Sequence, residues 1–309
     1  MTAVGDSHAL VLESRAHAVA GRLEAALATA AAAAAAGRAP GRVRVQAGQR
    51  LGQAHLALGD YERARAVFRD TLADAERTLG AADLDCASLH NDLGMVGKYD
   101  GRFDDAAAHY ARALAIIEAE RGSADVAVAD VEHNLGGLGH ARGDFAAAEP
   151  HARRAVAIRR AALGDAHPTV AADRAALAGV LVGLGQLEEA EHHLWAAVDT
   201  FARAFGEEHL EVATARTSLG AVLHSQGRLD EAEALYRQGL TARERIAGRD
   251  HPELTTPLMN LAALIAARGA VDEARALYRR ALQLLDGAVT GDHPRRTACR
   301  DRLAQLATA

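Results

Sequence analysis

A period of 42 residues constrains this chain more than any other feature. Glycine stands at Gly59, Gly101, Gly143, Gly185, Gly227 and Gly269, each 42 residues after the last. An apolar residue follows two places on and an alanine five places on: Tyr61/Ala64, Phe103/Ala106, Phe145/Ala148, Leu187/Ala190, Leu229/Ala232 and Val271/Ala274. A spacing kept this often marks an internal repeat, and repeats of this length build an array of stacked units. Each unit then packs on its neighbours, so the 309 residues need not share one core.

Two helices can be read in each unit. The first ends just before the phase glycine and carries a fixed leucine: Leu51, Leu93, Leu135, Leu177, Leu219, Leu261 and Leu303. A small residue follows each time (Gly52, Gly94, Gly136, Ala178, Gly220, Ala262, Ala304), which lets another helix approach closely. The second helix shows an apolar stripe at spacings of four, seven and eight, as in Ala106, Tyr110, Ala113 and Leu114. It stops near Gly80, Gly122, Gly164, Gly206 or Gly248, and in the last unit near Gly291. A turn follows, often His-Pro: His167-Pro168, His251-Pro252 and His293-Pro294. Proline suits the first turn of a helix, where its missing N–H is not needed, so these prolines mark the next first helix. The earlier turns use Asp83-Leu84 and Asp125-Val126.

Two places break the local rules. Gly136, Gly137 and Gly139 crowd one helix, which implies close packing of a neighbouring backbone in preference to the alternative, a soft point in the superhelix. Pro257, five residues after Pro252, is expected to delay or kink its helix. The ends are less regular. Residues 1–42 read as an irregular N-terminal helix pair over 8–37, with a turn from Gly37 to Gly41. Residues 43–293 form the regular array, and 294–309 a C-terminal capping helix.

Composition narrows the function. Half the residues are hydrophobic, yet aromatics make up only 4%, which suits thin, closely packed helices. A net charge of −6 argues against nucleic acid as a partner. The basic cluster Arg38, Arg42, Arg44 and Arg50 reads as solvated surface. Lys98 is the only lysine, and Gly97-Lys98-Tyr99 lacks the spacing and hydroxyl of a phosphate-binding loop. Cys86 and Cys299 lie about five repeats apart, which fits a reducing cytoplasm and no internal disulfide. The N-terminus has no secretory pattern, and no stretch spans a bilayer.

With these residues in view, the chain resembles the tetratricopeptide repeat (TPR) proteins. Leu-Gly/Ala, then Gly-x-aromatic-x-x-Ala, then aromatic and Ala is that family's order. The 42-residue period, the His-Pro turns and Ala148-Glu149-Pro150 are similar to its kinesin light chain subgroup. Arg- and Ala-rich composition resembles that of GC-rich bacteria. The resemblance implies an all-α fold, a right-handed superhelical solenoid of antiparallel helix pairs. It also implies a concave groove lined by the first helices, in which an extended peptide or partner chain lies.

The groove places flank the fixed leucine. They nominate Gln49, Arg50, Gln53, Asn91, Asp92, Met95, Asn134, Thr217, Ser218, Asn260 and Arg302, together with Asp130 and His133, as residues that bind a peptide segment. The expected function is a protein–protein interaction scaffold, without cofactor, metal or catalysis, in contact with neither membrane nor nucleic acid. Two alternatives stay open. One is a sensor array acting on a separate enzyme or transcription factor. The other is a small-molecule site at Asp130/His133, three apart on one helical face, where a carboxylate orients an imidazole base. Glu188/His192 and Glu189/His193 have metal-compatible types but read as a solvated face, and Trp195 reads as packing.

Overall fold

The computed structural model describes residues 3–35, 41–288 and 294–307. Among these residues every regular element is helical. Helix α1 (Ala3–Val19) precedes α2 (Leu23–Ala35), α3 (Gly41–Ala57) precedes α4 (Tyr61–Leu79), and α5 (Leu84–Tyr99) precedes α6 (Phe103–Arg121). Then come α7 (Val126–Arg142) and α8 (Phe145–Leu163), α9 (Pro168–Gly183) and α10 (Leu187–Phe205), α11 (Leu210–Ser225) and α12 (Leu229–Ala247). A short 3-10 turn, Pro252–Leu254, leads into α13 (Thr255–Ala267), which is followed by α14 (Val271–Ala288) and α15 (Pro294–Ala307). No helix among the described residues is long and apolar enough to cross a membrane.

The helices end where glycine allows a left-handed backbone. Gly122 closes α6 at φ 86°, with its N–H on the Glu118 carbonyl, and Gly143 closes α7 at φ 73°. Side chains with a Cβ rarely adopt such angles. The first helices begin on a matching signal. Asp83, Asp125, His167, His209 and His251, one per repeat, each accept the backbone N–H two residues on, at 2.8–3.3 Å. The histidines use Nδ1, so Asp and neutral His are interchangeable caps here. That explains how the Asp turns of the earlier repeats, Asp83 and Asp125, give way to the His turns at His167, His209 and His251. At Pro252 the expected helix start is only the 3-10 turn; α13 begins at Thr255 and takes Pro257 into its first turn. Pro257 therefore delays the helix. The turn expected at 37–40, with Arg38, and the turn residues Gly291 and His293 lie outside the described residues.

The chain divides into two compact units, Met1–Ile158 and Arg159–Ala309. In the first, α1 packs on α2, α3 on α4 and α5 on α6. The core includes Val45, Phe68, Leu89, Leu93, Tyr110, Ile116, Val131 and Leu138. The residue after each fixed leucine meets the partner helix: a Cβ on Gly52 would lie 2.4 Å from the Phe68 ring, and one on Gly94 2.5 Å from the Tyr110 ring. Where the second helix offers only Ala152, Gly136 is opposed at 3.2 Å. The glycine-crowded helix α7 divides accordingly. Gly136 and Gly139 serve close packing, the latter with a hypothetical Cβ 2.7 Å from Ala148. Gly137 does not, since its nearest neighbour would be Lys98 Nζ at 3.6 Å. In the second unit α9 packs on α10, α11 on α12 and α13 on α14. Leu177, Leu181, Leu194, Leu219, Leu223, Tyr236, Leu258 and Leu261 are fully buried there.

These contacts set opposite outcomes for two alanine substitutions in neighbouring first helices. Gly94→Ala forces a methyl into the buried Tyr110 ring and is expected to cost roughly 1–3 kcal/mol. Gly137→Ala meets no such obstacle and is expected to add up to about 1 kcal/mol through helix propensity. Thermal unfolding followed by circular dichroism reads both; a stabilised Gly94→Ala would contradict the packing described.

Candidate functional site

Successive first helices touch one another within each unit: α3 meets α5 and α5 meets α7, while α9 meets α11 and α11 meets α13. The places flanking the fixed leucines are thereby brought side by side. Their chemistry differs between the two units.

In the first unit this face is polar. Asp92 on α5 is only 5% exposed. Gln49 Nε2 donates to its Oδ2 at 2.7 Å and to Ser88 Oγ at 2.6 Å, while Gln53 Nε2 donates to its two oxygens at 3.1 and 3.2 Å. Arg50 in turn donates to Gln53 Oε1 at 2.8 Å. Burial pushes the Asp92 carboxyl up to about 6, against the two glutamine hydrogen bonds and the Arg50 charge, which favour the ionised form. Gln49 and Asp92, nominated for the groove, thus spend their polar atoms in joining α3 to α5.

One repeat further, Asn134 Nδ2 donates to Asn91 Oδ1 at 2.8 Å, bridging α7 and α5. Asn91 Nδ2 reaches the Met95 sulfur at 3.9 Å. Asp130 is exposed and His133 half-buried on α7. Beside them a cleft of 270 Å³ opens between α5, α6 and α7. Leu84, Ile117 and Val131 supply apolar lining, and Asn91, Arg121 and Asp130 supply polar lining.

In the second unit the corresponding face is small and nearly uncharged. Ala175, Ala176, Gly179, Ala221 and Ala263 are all at least partly exposed on it. Thr217 is buried and its hydroxyl donates to the Ala213 carbonyl one turn back, at 2.8 Å. Ser218 is exposed, whereas Met259 and Asn260 are half-buried. Arg302, on α15, donates to Gln305 at 3.1 Å.

Other side chains lie off this face. Arg42 pairs with Asp83 and Asp85, and Arg44 with Asp74, so these two members of the basic cluster are neutralised. Glu189 and His193 approach to 3.6 Å on α10. Trp195, read as packing, is 45% exposed, with its indole N–H on Glu191 at 3.3 Å. Both cysteines are free and buried.

Sequence reasoning missed two contacts made across helix pairs. His90 and His109 meet Nδ1 to Nδ1 at 2.9 Å, and burial, then His109 and Arg112, lower His90 to about 4. One repeat on, the buried Glu132 meets His151 at 2.6 Å and also binds Arg154. Both pairs are 19 residues apart. That recurring separation, which joins a first helix to the second helix after it, was the available signal.

The architecture is that of paired-helix repeats offering one face of first helices. The TPR family model matches residues 44–119, 85–161, 125–194 and 169–245, and a second TPR model matches 256–280. The chain belongs to the tetratricopeptide repeat family, a class of protein–protein interaction scaffold. Among solved structures it is similar to BtubC (BKLC) from P. vanneervenii, at 25% identity and TM-score 0.64 over 76% of this chain and 94% of that one. It is also similar to kinesin light chain TPR-like repeats from Podosopora anserina, at 21% identity and TM-score 0.58 over 67% of this chain and 97% of that one. A third similar structure is a Rap protein complexed with competence and sporulation factor, at 16% identity and TM-score 0.58 over 87% of this chain and 76% of that one. No curated protein matches the sequence.

The Asp92 network has a measurable pH dependence. Its folded carboxyl titrates at about 6, above the ordinary value of 3.8, so folding favours the neutral form. The associated stability is complete below the unfolded value and is lost as pH rises through about 6. Relative to Asp92→Asn, the natural chain is expected to lose on the order of 3 kcal/mol between about pH 4 and 7. Urea unfolding of both proteins across that window checks it; a difference that does not change with pH would contradict the burial of a titrating Asp92.

Proposed function

We propose that the chain is a docking scaffold whose first-helix faces hold an extended segment of another polypeptide. The observation that carries this reading is the Asn91–Asn134 bridge. It ties α5 to α7 through one donor and one acceptor. Among the described residues, no protein group donates to the Asn134 Oδ1, and the Asn91 Nδ2 meets only the Met95 sulfur. The pair therefore offers an acceptor and a donor to the N–H and C=O of a passing backbone, without reading its sequence.

The surroundings suit the same occupant. The 270 Å³ cleft beside Asn91 has room for a side chain of a docked segment. The partly exposed alanines and Gly179 of the second unit let a segment approach the helix backbone there. The Rap structure, complexed with competence and sporulation factor, supports capture of a factor by a fold of this kind. A sensor array would use the same face, with the segment belonging to a separate enzyme or transcription factor.

The test recovers partners from the native host with the wild-type chain, then measures the strongest by calorimetry against variants. Asn134→Ala is expected to weaken binding about tenfold or more, since it alters the face itself. Arg203→Ala, an exposed position on α10 paired with Asp199, is expected to leave binding unchanged. Equal binding by all three proteins would reject the assignment of the face.

A further inference from the structure

Helix α10 breaks the surface pattern of the array at one place. Ten residues after the phase glycine, four of the six second helices carry arginine: Arg69, Arg153, Arg237 and Arg279. Helix α6 has Ala111 there, and α10 has Trp195, the chain's only tryptophan. Where a glutamate stands one turn back, the arginine pairs with it. Arg153 meets Glu149 at 2.8 Å on α8, and Arg237 meets Glu233 at 2.9 Å on α12. Helix α10 keeps that glutamate, Glu191, but has lost the guanidinium of its own helix. The indole N–H donates to Glu191 instead, at 3.3 Å, and Arg228 from the next repeat donates to the same oxygen at 2.7 Å.

Trp195 is nearly half exposed. Among the described residues no other ring packs on it and no cation of the chain lies over it. The stripe on its side of the helix is acidic. Glu188 stands seven residues before it and Asp199 four after, both exposed. Arg228 offsets Glu191, but Glu188 pairs with no base among the described residues. Asp199 makes an exposed pair with Arg203 at 2.9 Å, which holds it weakly. Helix α10 as a whole has four carboxylates against one arginine. A single exposed tryptophan is ordinary surface. Here the ring takes the place of a cation that the neighbouring repeats supply themselves, and carboxylates flank it on both sides.

We infer that Trp195 centres a second docking surface, on α10, which seats a lysine or arginine side chain of a basic partner segment. The face of the indole attracts a positive charge through its quadrupole. Glu188 and Asp199 add an attraction that salt screens. The surface belongs to a second helix, so it is independent of the first-helix faces, and its failure would leave them standing. A tryptophan that only covers apolar surface would hold apolar peptides as well as basic ones.

The test pans a random dodecapeptide phage library on the full chain after depletion on Trp195→Arg. That variant carries the residue of the neighbouring repeats, and circular dichroism checks its fold. Retained peptides are synthesised and titrated against the full chain, where the emission of the one tryptophan reads binding directly. They are expected to share a lysine or arginine at one register and to change the emission saturably. Replacing that residue by glutamine is expected to weaken binding about tenfold, as is Trp195→Ala. Glu188→Gln is expected to weaken it about threefold, whereas Glu62→Gln, at the same repeat place on α4, leaves it unchanged. Affinity is expected to fall as salt rises from about 0.05 to 0.5 M. Retained peptides without a shared basic residue, equal losses in Glu62→Gln and Glu188→Gln, or binding that leaves the emission unchanged would each overturn the inference. So would a library from which nothing survives depletion.

Discussion

The left-handed glycine is the constraint on which the structure depends. Gly59, Gly80, Gly101, Gly122 and their successors to Gly269 all have positive φ and stand 21 residues apart. Each ends one helix and turns the chain back, so helix length is set by backbone geometry before any packing occurs. Fixed lengths bring the same places together in every pair. The small residue after the leucine can then face the aromatic of the second helix, as Gly52 faces Phe68 and Gly220 faces Tyr236. A chain with few aromatics builds its core in this way, by removing a Cβ on one helix to seat a ring from the next.

Much of this was legible because it is periodic. The phase glycines, the fixed leucines and the alternating stripes place the helix pairs directly, and Pro257 announces the delayed start of α13. Gly137 was harder. Its neighbours Gly136 and Gly139 pack against α8, and only the spatial position of Lys98 distinguishes it from them. The site residues show the limit most clearly. Asp92, Asn134, Ser218 and Asn260 occupy one repeat position, yet Asp92 is buried, Ser218 exposed and the other two intermediate. What buries Asp92 is Gln49 and Gln53 on the preceding first helix, 43 and 39 residues away. Repeat position fixes direction; the neighbouring repeat decides whether the side chain meets water or protein.

The same neighbour effect gives the two units different surfaces. In the first, amides bond between adjacent helices. In the second, alanine and glycine supply little beyond backbone access. A partner segment suited to the first would be polar, and one suited to the second small or apolar. Such complementarity resides in a few side chains, since the fold alone is shared by proteins of unrelated use.

The most direct measurement uses the methionines. Met1, Met95 and Met259 are the only three, and the latter two are half-buried first-helix residues in different units. With ¹³C-methyl methionine and a bound partner segment, the expected result is a shifted or broadened Met95 or Met259 methyl signal. Saturable binding that leaves both signals in place would contradict docking on the first-helix faces.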